Sequence, residues 1–285
     1  MDLTSPARVK RLLAQHGLRP KKRLGQHFLI DRNVLTRIAE ASGAAPGVNI
    51  LEIGAGLGVV TRELAERGAR VVCVEIDPGF GPVLNEVLSD VRGVEVVIAD
   101  LLKLDLPAFL RERSEGRWVV VGNLPYYVTS PIITSLLAVK TLFSTILVMV
   151  QKEVAERFRA APATANYGSL SVFVQLNSDV DTVMPVSRTV FYPVPEVDSE
   201  LVKLTVRDRP PVSVSDEDLM LRIVRAAFGK RRKTLLNALS LSAELGWSRQ
   251  KASAVLAQAG IDPARRGETL SLEEFARLAD ACAGT

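Results

Sequence analysis

Five short apolar runs set the strongest limit on how this chain can fold: residues 48–53 (VNILEI), 70–76 (RVVCVEI), 94–98 (VEVVI), 117–122 (RWVVVG) and 144–150 (STILVMV). They are rich in β-branched residues and apolar on both alternating faces, the pattern of strands covered above and below. Helical patterns separate most of them: GVVTRELAERG, FGPVLNEVLSDV and SPIITSLLAVK. Strands that alternate with helices run parallel, because each connection crosses over the sheet before the next strand begins. After residue 160 the pattern changes. SLSVFVQLNSDVDTVMPVS reads as a hairpin and ELVKLTVR as one more strand, so the expected sheet is mixed but mainly parallel.

The stretch RDRPPVSVSDED, residues 207–218, is proline-rich and polar and carries helix-capping serines and aspartates. Beyond it EDLMLRIVRAAFG, RQKASAVLAQAG and SLEEFARLADACA are helical. At 285 residues the chain is long for one simple domain. The expected division is a basic segment over 1–30, an α/β domain over 31–208 and a small all-α domain over 209–285.

The nearest approach to a membrane span is IITSLLAVKTLFSTILVMV, residues 132–150, with Lys140 at its centre. It reads as a buried helix followed by a buried strand. The N-terminal stretch lacks the apolar core of a secretory signal, so a cytoplasmic protein with no membrane contact is expected. The two cysteines, Cys73 and Cys282, form no CxxC pair, so neither a disulfide framework nor a metal site is expected.

Net charge is only +4, but it is unevenly spread. Residues 1–32 hold eight basic side chains against two acidic ones, a local charge of +6. Lys21, Lys22 and Arg23 form one basic run, and Lys230, Arg231 and Arg232 another. Local clusters of this kind suit a polyanionic partner such as RNA.

The run ILEIGAGLGVVTREL places Gly54, Gly56 and Gly58 between a strand and a helix, where glycines permit a tight turn and close approach of a ligand. The GxGxG spacing is neither a dinucleotide fingerprint nor a phosphate loop. Glu75 ends the next strand, 21 residues after Gly54, where a carboxylate can accept from both hydroxyls of a ribose. Asp100 ends the third strand and can accept from an adenine amino group. Together these strand ends describe an adenosine pocket.

The fourth strand ends in GNLPYYVTSPI. An exocyclic amine of adenine is a poor nucleophile, because its lone pair is delocalised into the ring. The side-chain oxygen of Asn123 and the backbone carbonyl of Leu124, held by Pro125, can accept its two hydrogens and favour a pyramidal nitrogen. Tyr126 offers a face for a base removed from its stack.

With KKRLGQHFL, EIGAGLG, VEID, NLPYYVTSPI, VMVQKEVAERF, FYPVPEVDSELVKL and FGKRRKTLLNAL, the chain resembles the ribosomal RNA small-subunit adenine N6,N6-dimethyltransferases (the KsgA/RsmA family and its eukaryotic and mitochondrial relatives). The resemblance implies a Rossmann-like class I methyltransferase with a small all-α C-terminal domain. It implies that Gln26, His27 and Leu29 close over S-adenosylmethionine, and that Gly54, Gly56, Glu75, Ile76, Asp100, Leu101 and Asn123 complete that site. His27 stands where many relatives have Asn. Asn123, Leu124, Pro125 and Tyr126 are then the catalytic turn, and Phe191 a second aromatic for the target base.

The implied activity is dimethylation of two adjacent adenines near the 3′ end of 16S rRNA, with S-adenosylhomocysteine as product. It implies the small ribosomal subunit precursor as partner and a role in ribosome biogenesis. Nothing calls for a dimer, and a monomer is expected. The alternatives are a large-subunit rRNA methyltransferase of the antibiotic-resistance type, or a non-catalytic ribosome-assembly or RNA-binding factor on the same fold.

Overall fold

The computed structural model describes residues 3–230 and 232–283. In chain order the elements are α1 (Pro6–Gln15), β1 (Phe28–Leu29), α2 (Arg32–Ser42), β2 (Asn49–Ile53), α3 (Val59–Glu66), β3 (Arg70–Glu75) and α4 (Gly81–Val87). They continue with β4 (Val94–Ile98), α5 (Leu106–Arg111), β5 (Trp118–Asn123), α6 (Thr129–Ala138), β6 (Phe143–Gln151), α7 (Lys152–Phe158) and α8 (Ser169–Asn177). Last come β7 (Ser178–Val186), β8 (Phe191–Tyr192), β9 (Ser199–Val206), α9 (Glu217–Gly229), α10 (Leu235–Ser240), α11 (Arg249–Gln258) and α12 (Leu272–Ala283). No helix among the described residues is long and apolar enough to cross a membrane.

The five predicted runs become β2 to β6, and the interleaved helices form as expected. Among the described residues these five, with β7 and β9, build a seven-stranded sheet in the order β4-β3-β2-β5-β6-β9-β7. The pairs β3–β4, β2–β3, β2–β5 and β5–β6 are parallel, and β9 closes antiparallel on β6. β3, β5 and β6 are buried along nearly their whole length, which requires cover on both sides of the sheet. Val9, Leu12 and Leu13 of α1 and Val34, Leu35 and Ile38 of α2 join Ile50, Val119 and Val121 in one core.

The chain divides into two compact units. One holds the described residues up to Ala155 together with Asp179–Val206, and the other holds Glu156–Ser178 together with the described residues from Arg207 onward. The second unit thus takes in 156–178, a stretch that sequence assigns to the α/β domain. The reason is packing. Tyr167, Val172 and Leu176 are buried in a core with Met220, Ile223, Leu239, Leu256 and Phe275, and the Tyr167 hydroxyl donates to Leu270 O at 2.9 Å.

The expected hairpin over SLSVFVQLNSDVDTVMPVS is half wrong: 169–177 is α8, and only the part from Ser178 is strand. Apolar residues at alternating positions look like a strand, yet a segment buried on most sides carries no reliable period. The Gly168 N–H donates to Ser171 Oγ at 3.1 Å and closes the first helical turn.

Strand order reverses between β2 and β5. β2 leads through α3 to β3 on one side, while β5 lies on its other side and leads through α6 to β6. At such a reversal the two connections leave in opposite directions and a crevice opens beyond the strand ends. Gly122 sits at its floor, paired with Ile53. A Cβ there would lie 2.9 Å from Leu124 Cδ2 and 3.2 Å from Ile53 O, so a side chain forces the strands or the following turn to shift. Gly122→Ala should therefore cost about 1–3 kcal/mol by overpacking. A urea titration that finds unchanged stability would contradict this close packing.

Candidate active site

The glycine turn forms the β2 side of the crevice. Gly54, Gly56 and Gly58 have φ of +78°, +53° and +74°, a backbone that other L-residues rarely adopt. The Gly56 N–H donates to Glu75 Oε2 at 2.9 Å, and the Asp77 N–H donates to Glu75 Oε1 at 2.9 Å. Glu75 is 4% exposed and burial pushes its carboxyl up, against the pull of these backbone donors. Its carboxylate therefore braces the turn from β3. Each oxygen keeps a second lone pair, so the brace leaves acceptor capacity for a ligand hydroxyl.

Two pockets flank the turn. One, of about 210 Å³, is lined by Gly54, Ile76, Asp100, Leu101, Pro125 and Tyr127 among others. It is mainly apolar, with Asp100 as its carboxylate, and suits a flat heterocycle. The other, of about 40 Å³, is bounded by His27, Leu29, Glu52, Gly54, Gly56 and Asn123. The structure thus gathers Gly54, Ile76, Asp100 and Leu101 around one pocket, and His27, Leu29, Gly54, Gly56 and Asn123 around the other. Glu75 and Gln26 line neither pocket, although both lie close by along the chain.

Glu52 is the residue that the sequence reading missed. It lies on β2, is 2% exposed, and its Oε2 is buried with no hydrogen-bond partner, as is Thr61 Oγ1. Burial pushes its carboxyl up to about 8, with nearby Thr61 opposing and the Glu75 charge adding. A buried carboxyl with one oxygen left unsatisfied calls for an explanation. Glu52 lines the smaller pocket, where a bound ligand could reach that oxygen. In the sequence it looked like any residue of an alternating strand.

The β5 side of the crevice carries the NLPY turn. Asn123 Nδ2–H donates to His27 O at 3.0 Å, which leaves Oδ1 as the acceptor end of the amide. The Leu124 N–H donates to Met149 O at 3.1 Å, so strand pairing runs on into the turn. Pro125 O accepts from the Val128 N–H and from Thr129 Oγ1, both at 3.1 Å, and so anchors the start of α6. The half-buried Tyr126 has its hydroxyl 3.2 Å from Ser199 Oγ, and burial pushes the phenol up.

His27 lies beside that ring, with planes 22° apart and centroids separated by 6.1 Å. Its Nδ1 is 2.7 Å from Pro193 O, and since a carbonyl only accepts, Nδ1 carries the proton. Phe191 is placed differently from the expectation. It is 2% exposed, faces Leu29 across the β1–β8 pair and belongs to the core, so no open face remains for a base. The aromatic neighbour of Tyr126 in this structure is His27.

Among the basic residues, Lys21 Nζ is 2.8 Å from the Asp77 carboxylate, while Arg23, Lys230 and Arg232 are exposed. Arg231 and the side chain of Lys22 lie outside the described residues. Gln26 is held too: its Oε1 accepts from the Lys21 N–H at 2.8 Å and its Nε2–H donates to Asp77 Oδ2 at 3.0 Å. Among the described residues no three His, Cys, Asp or Glu side chains are grouped to hold a metal ion.

A family model described as ribosomal RNA adenine dimethylase matches residues 17–283. A ribosomal RNA small subunit methyltransferase A from Pelotomaculum thermopropionicum is 46% identical, over 98% of this chain and 96% of its own. A solved dimethyladenosine transferase from Plasmodium falciparum matches with a TM-score of 0.73 at 27% identity, covering 88% of this chain and 96% of that one. The solved 23S rRNA methyltransferase ErmE matches with a TM-score of 0.65 at 29% identity, over 90% and 99%.

The state of Glu52 gives a test by proton counting. A carboxyl with a pKa of about 8 is protonated at pH 7, and it would have to ionise if a ligand ammonium group were to bind there. Protons then compete with ligand, so affinity for S-adenosylhomocysteine should rise with pH up to about 8. Calorimetry at pH 7 in buffers of different ionisation enthalpy should show about one more proton released by the native protein than by Glu52→Gln. Equal release from both would remove Glu52 from the ligand's surroundings.

Proposed function

The chain belongs to the ribosomal RNA adenine dimethylase family, and on that premise we propose that it dimethylates N6 of two adjacent adenines near the 3′ end of small-subunit rRNA, using S-adenosylmethionine. The observation that carries this reading is the state of Asn123. One Nδ2–H is donated to His27 O, so Oδ1 is the end left to accept from an amine at the mouth of the crevice.

The residues around the turn fit that cofactor. The larger pocket, with Ile76, Leu101 and Asp100, would take its adenine, and Glu75 would meet the ribose from beneath the glycine turn. The orphaned Glu52 Oε2 would receive the ammonium of its methionine end. When bound, S-adenosylmethionine supplies an electrophilic methyl group on a positively charged sulfur.

The chain's own contribution is orientation. Asn123 Oδ1 and the Leu124 carbonyl accept the two hydrogens of the adenine amine, which concentrates its lone pair on nitrogen. Tyr126, steadied through Ser199, offers its ring to the extruded base. The amine nitrogen held by these acceptors would take the methyl group, and the bonding electron pair would stay with the cofactor's sulfur. The nitrogen becomes cationic and strongly acidic, and water takes its proton, so no side chain is needed as a base. After the first methyl transfer one N–H remains, and it keeps one of the two acceptors for the second round.

Exposed Arg23, Lys230 and Arg232 are the side chains available to meet RNA phosphates. The expected setting is the cytoplasm and the expected partner a precursor of the small ribosomal subunit, with the protein acting as a monomer.

The test is mass spectrometry of small- and large-subunit rRNA after reaction with limiting protein and S-adenosylmethionine. Dimethyladenine should form in the small-subunit RNA alone. Asn123→Ala should lower both methylation steps roughly hundredfold or more, as loss of one oriented transition-state partner does elsewhere. Tyr126→Phe should keep most activity and Tyr126→Ala should lose it, because stacking needs the ring and not the hydroxyl. Methylation of large-subunit RNA would favour the antibiotic-resistance type of enzyme, and no methylation by the native protein a purely assembly-related role.

A further inference from the structure

Asp77 closes the VEID run just past β3, yet nothing in the chemistry above uses it. It is 2% exposed, and four polar groups converge on its carboxylate and its N–H. Lys21 Nζ lies 2.8 Å from the carboxylate, Gln26 Nε2–H donates to Oδ2 at 3.0 Å, and the Gly79 N–H donates to Oδ1 at 3.2 Å. The Asp77 N–H in turn donates to Glu75 Oε1 at 2.9 Å. Burial works against the Asp77 charge, but the bonds from Lys21, Gln26 and Gly79 outweigh it and hold the carboxyl below its ordinary value.

These contacts fasten residues 21–26 to the edge of the sheet, and the next residue is His27. The Lys21 N–H closes the segment on itself through Gln26 Oε1 at 2.8 Å. Gly25 has φ +57°, and a Cβ there would lie 3.3 Å from Pro125 Cβ, so this backbone rests directly on the NLPY turn. His27 O then receives Asn123 Nδ2–H. One continuous path therefore runs from the Asp77 carboxylate through Gln26 and His27 to the Asn123 amide. His27 is also tied to Pro193 O through Nδ1, so loss of the clamp would loosen its carbonyl from one side and let the Asn123 amide rotate away from the orientation that presents Oδ1.

We propose that Asp77 is a positioning residue for methyl transfer: by clamping Lys21 and Gln26 it holds the His27 carbonyl where it orients the Asn123 amide. The proposal rests on the reading of Asn123 given above. It also reassigns Lys21 from a phosphate contact to a clamp contact, and Gln26 from a cofactor contact to the same role.

The test pairs a measurement that needs no substrate with one that does. In hydrogen-exchange mass spectrometry of the ligand-free protein, Asp77→Asn and Lys21→Met should each speed exchange across residues 21–29 by about tenfold or more, while Lys21→Arg should stay near the native rate. In single-turnover methylation, Asp77→Asn should slow the first transfer about tenfold in the native background. In the Asn123→Ala background it should have little further effect, because residues that act through one another are not additive. Unchanged exchange at 21–29 in folded Asp77→Asn protein would overturn the clamp, whether or not the protein methylates rRNA. Equal slowing in both backgrounds would overturn its action through Asn123 and leave Asp77 as a cap for the turn at Gly79.

Discussion

Neighbouring parallel strands whose onward connections leave in opposite directions cannot both be covered at their carboxyl ends. In this protein that place lies between β2 and β5, and the groups with the most unusual environments gather around it. Gly54 leaves β2 and Asn123 ends β5, and a Cβ on Gly54 would stand 3.7 Å from Asn123 O. The crevice is narrow because both strands are rigid and buried, and because Gly122 lets them approach without a side chain between. Three contacts shape this opening. Glu75 braces its glycine wall, Pro125 fixes the start of α6 on the other wall, and the segment before β1 lies over the turn.

Three acidic residues within this edge show how environment divides labour among like groups. Asp77 is paired with Lys21 and held as an anion. Glu75 is satisfied by backbone donors, although burial raises its pKa. Glu52 keeps an oxygen without a partner and is pushed up to about 8. A protein interior tolerates a satisfied carboxylate far better than one with an unsatisfied oxygen, and Glu52 is the one of the three that lines a pocket beside the glycine turn. The acids that look most alike in the sequence are therefore the ones that the structure separates most clearly.

Much of this was legible in the sequence, and the physical reasons for success and failure differ by residue. Strand-forming runs such as RVVCVEI are short, β-branched and bounded by turn residues, so local chemistry and tertiary burial agree. The three glycines were legible because only glycine fits the backbone they adopt. SLSVFVQLN was not, since an apolar segment without a polar face has no period to read, and its helix is decided by the core it enters. Phe191 misled for a related reason: its motif places it near the site, but whether a ring is open or buried depends on the β1–β8 pairing. The environment of Glu52 is set by burial and by neighbours such as Thr61, and the Asp77 clamp by partners 51–56 residues away, and no local pattern announces such contacts.

The proposed chemistry turns on one contact: His27 O holds the Asn123 amide, so that Oδ1 would meet the amine to be methylated. A crystal structure of the protein with S-adenosylhomocysteine and an adenine-containing rRNA fragment tests it most directly. In that structure an adenine N6 should lie within hydrogen-bond distance of Asn123 Oδ1 and the Leu124 carbonyl, with Nδ2 still donating to His27 O. An adenine bound in the crevice with its amine turned away from Asn123, or an Asn123 amide released from His27, would contradict it.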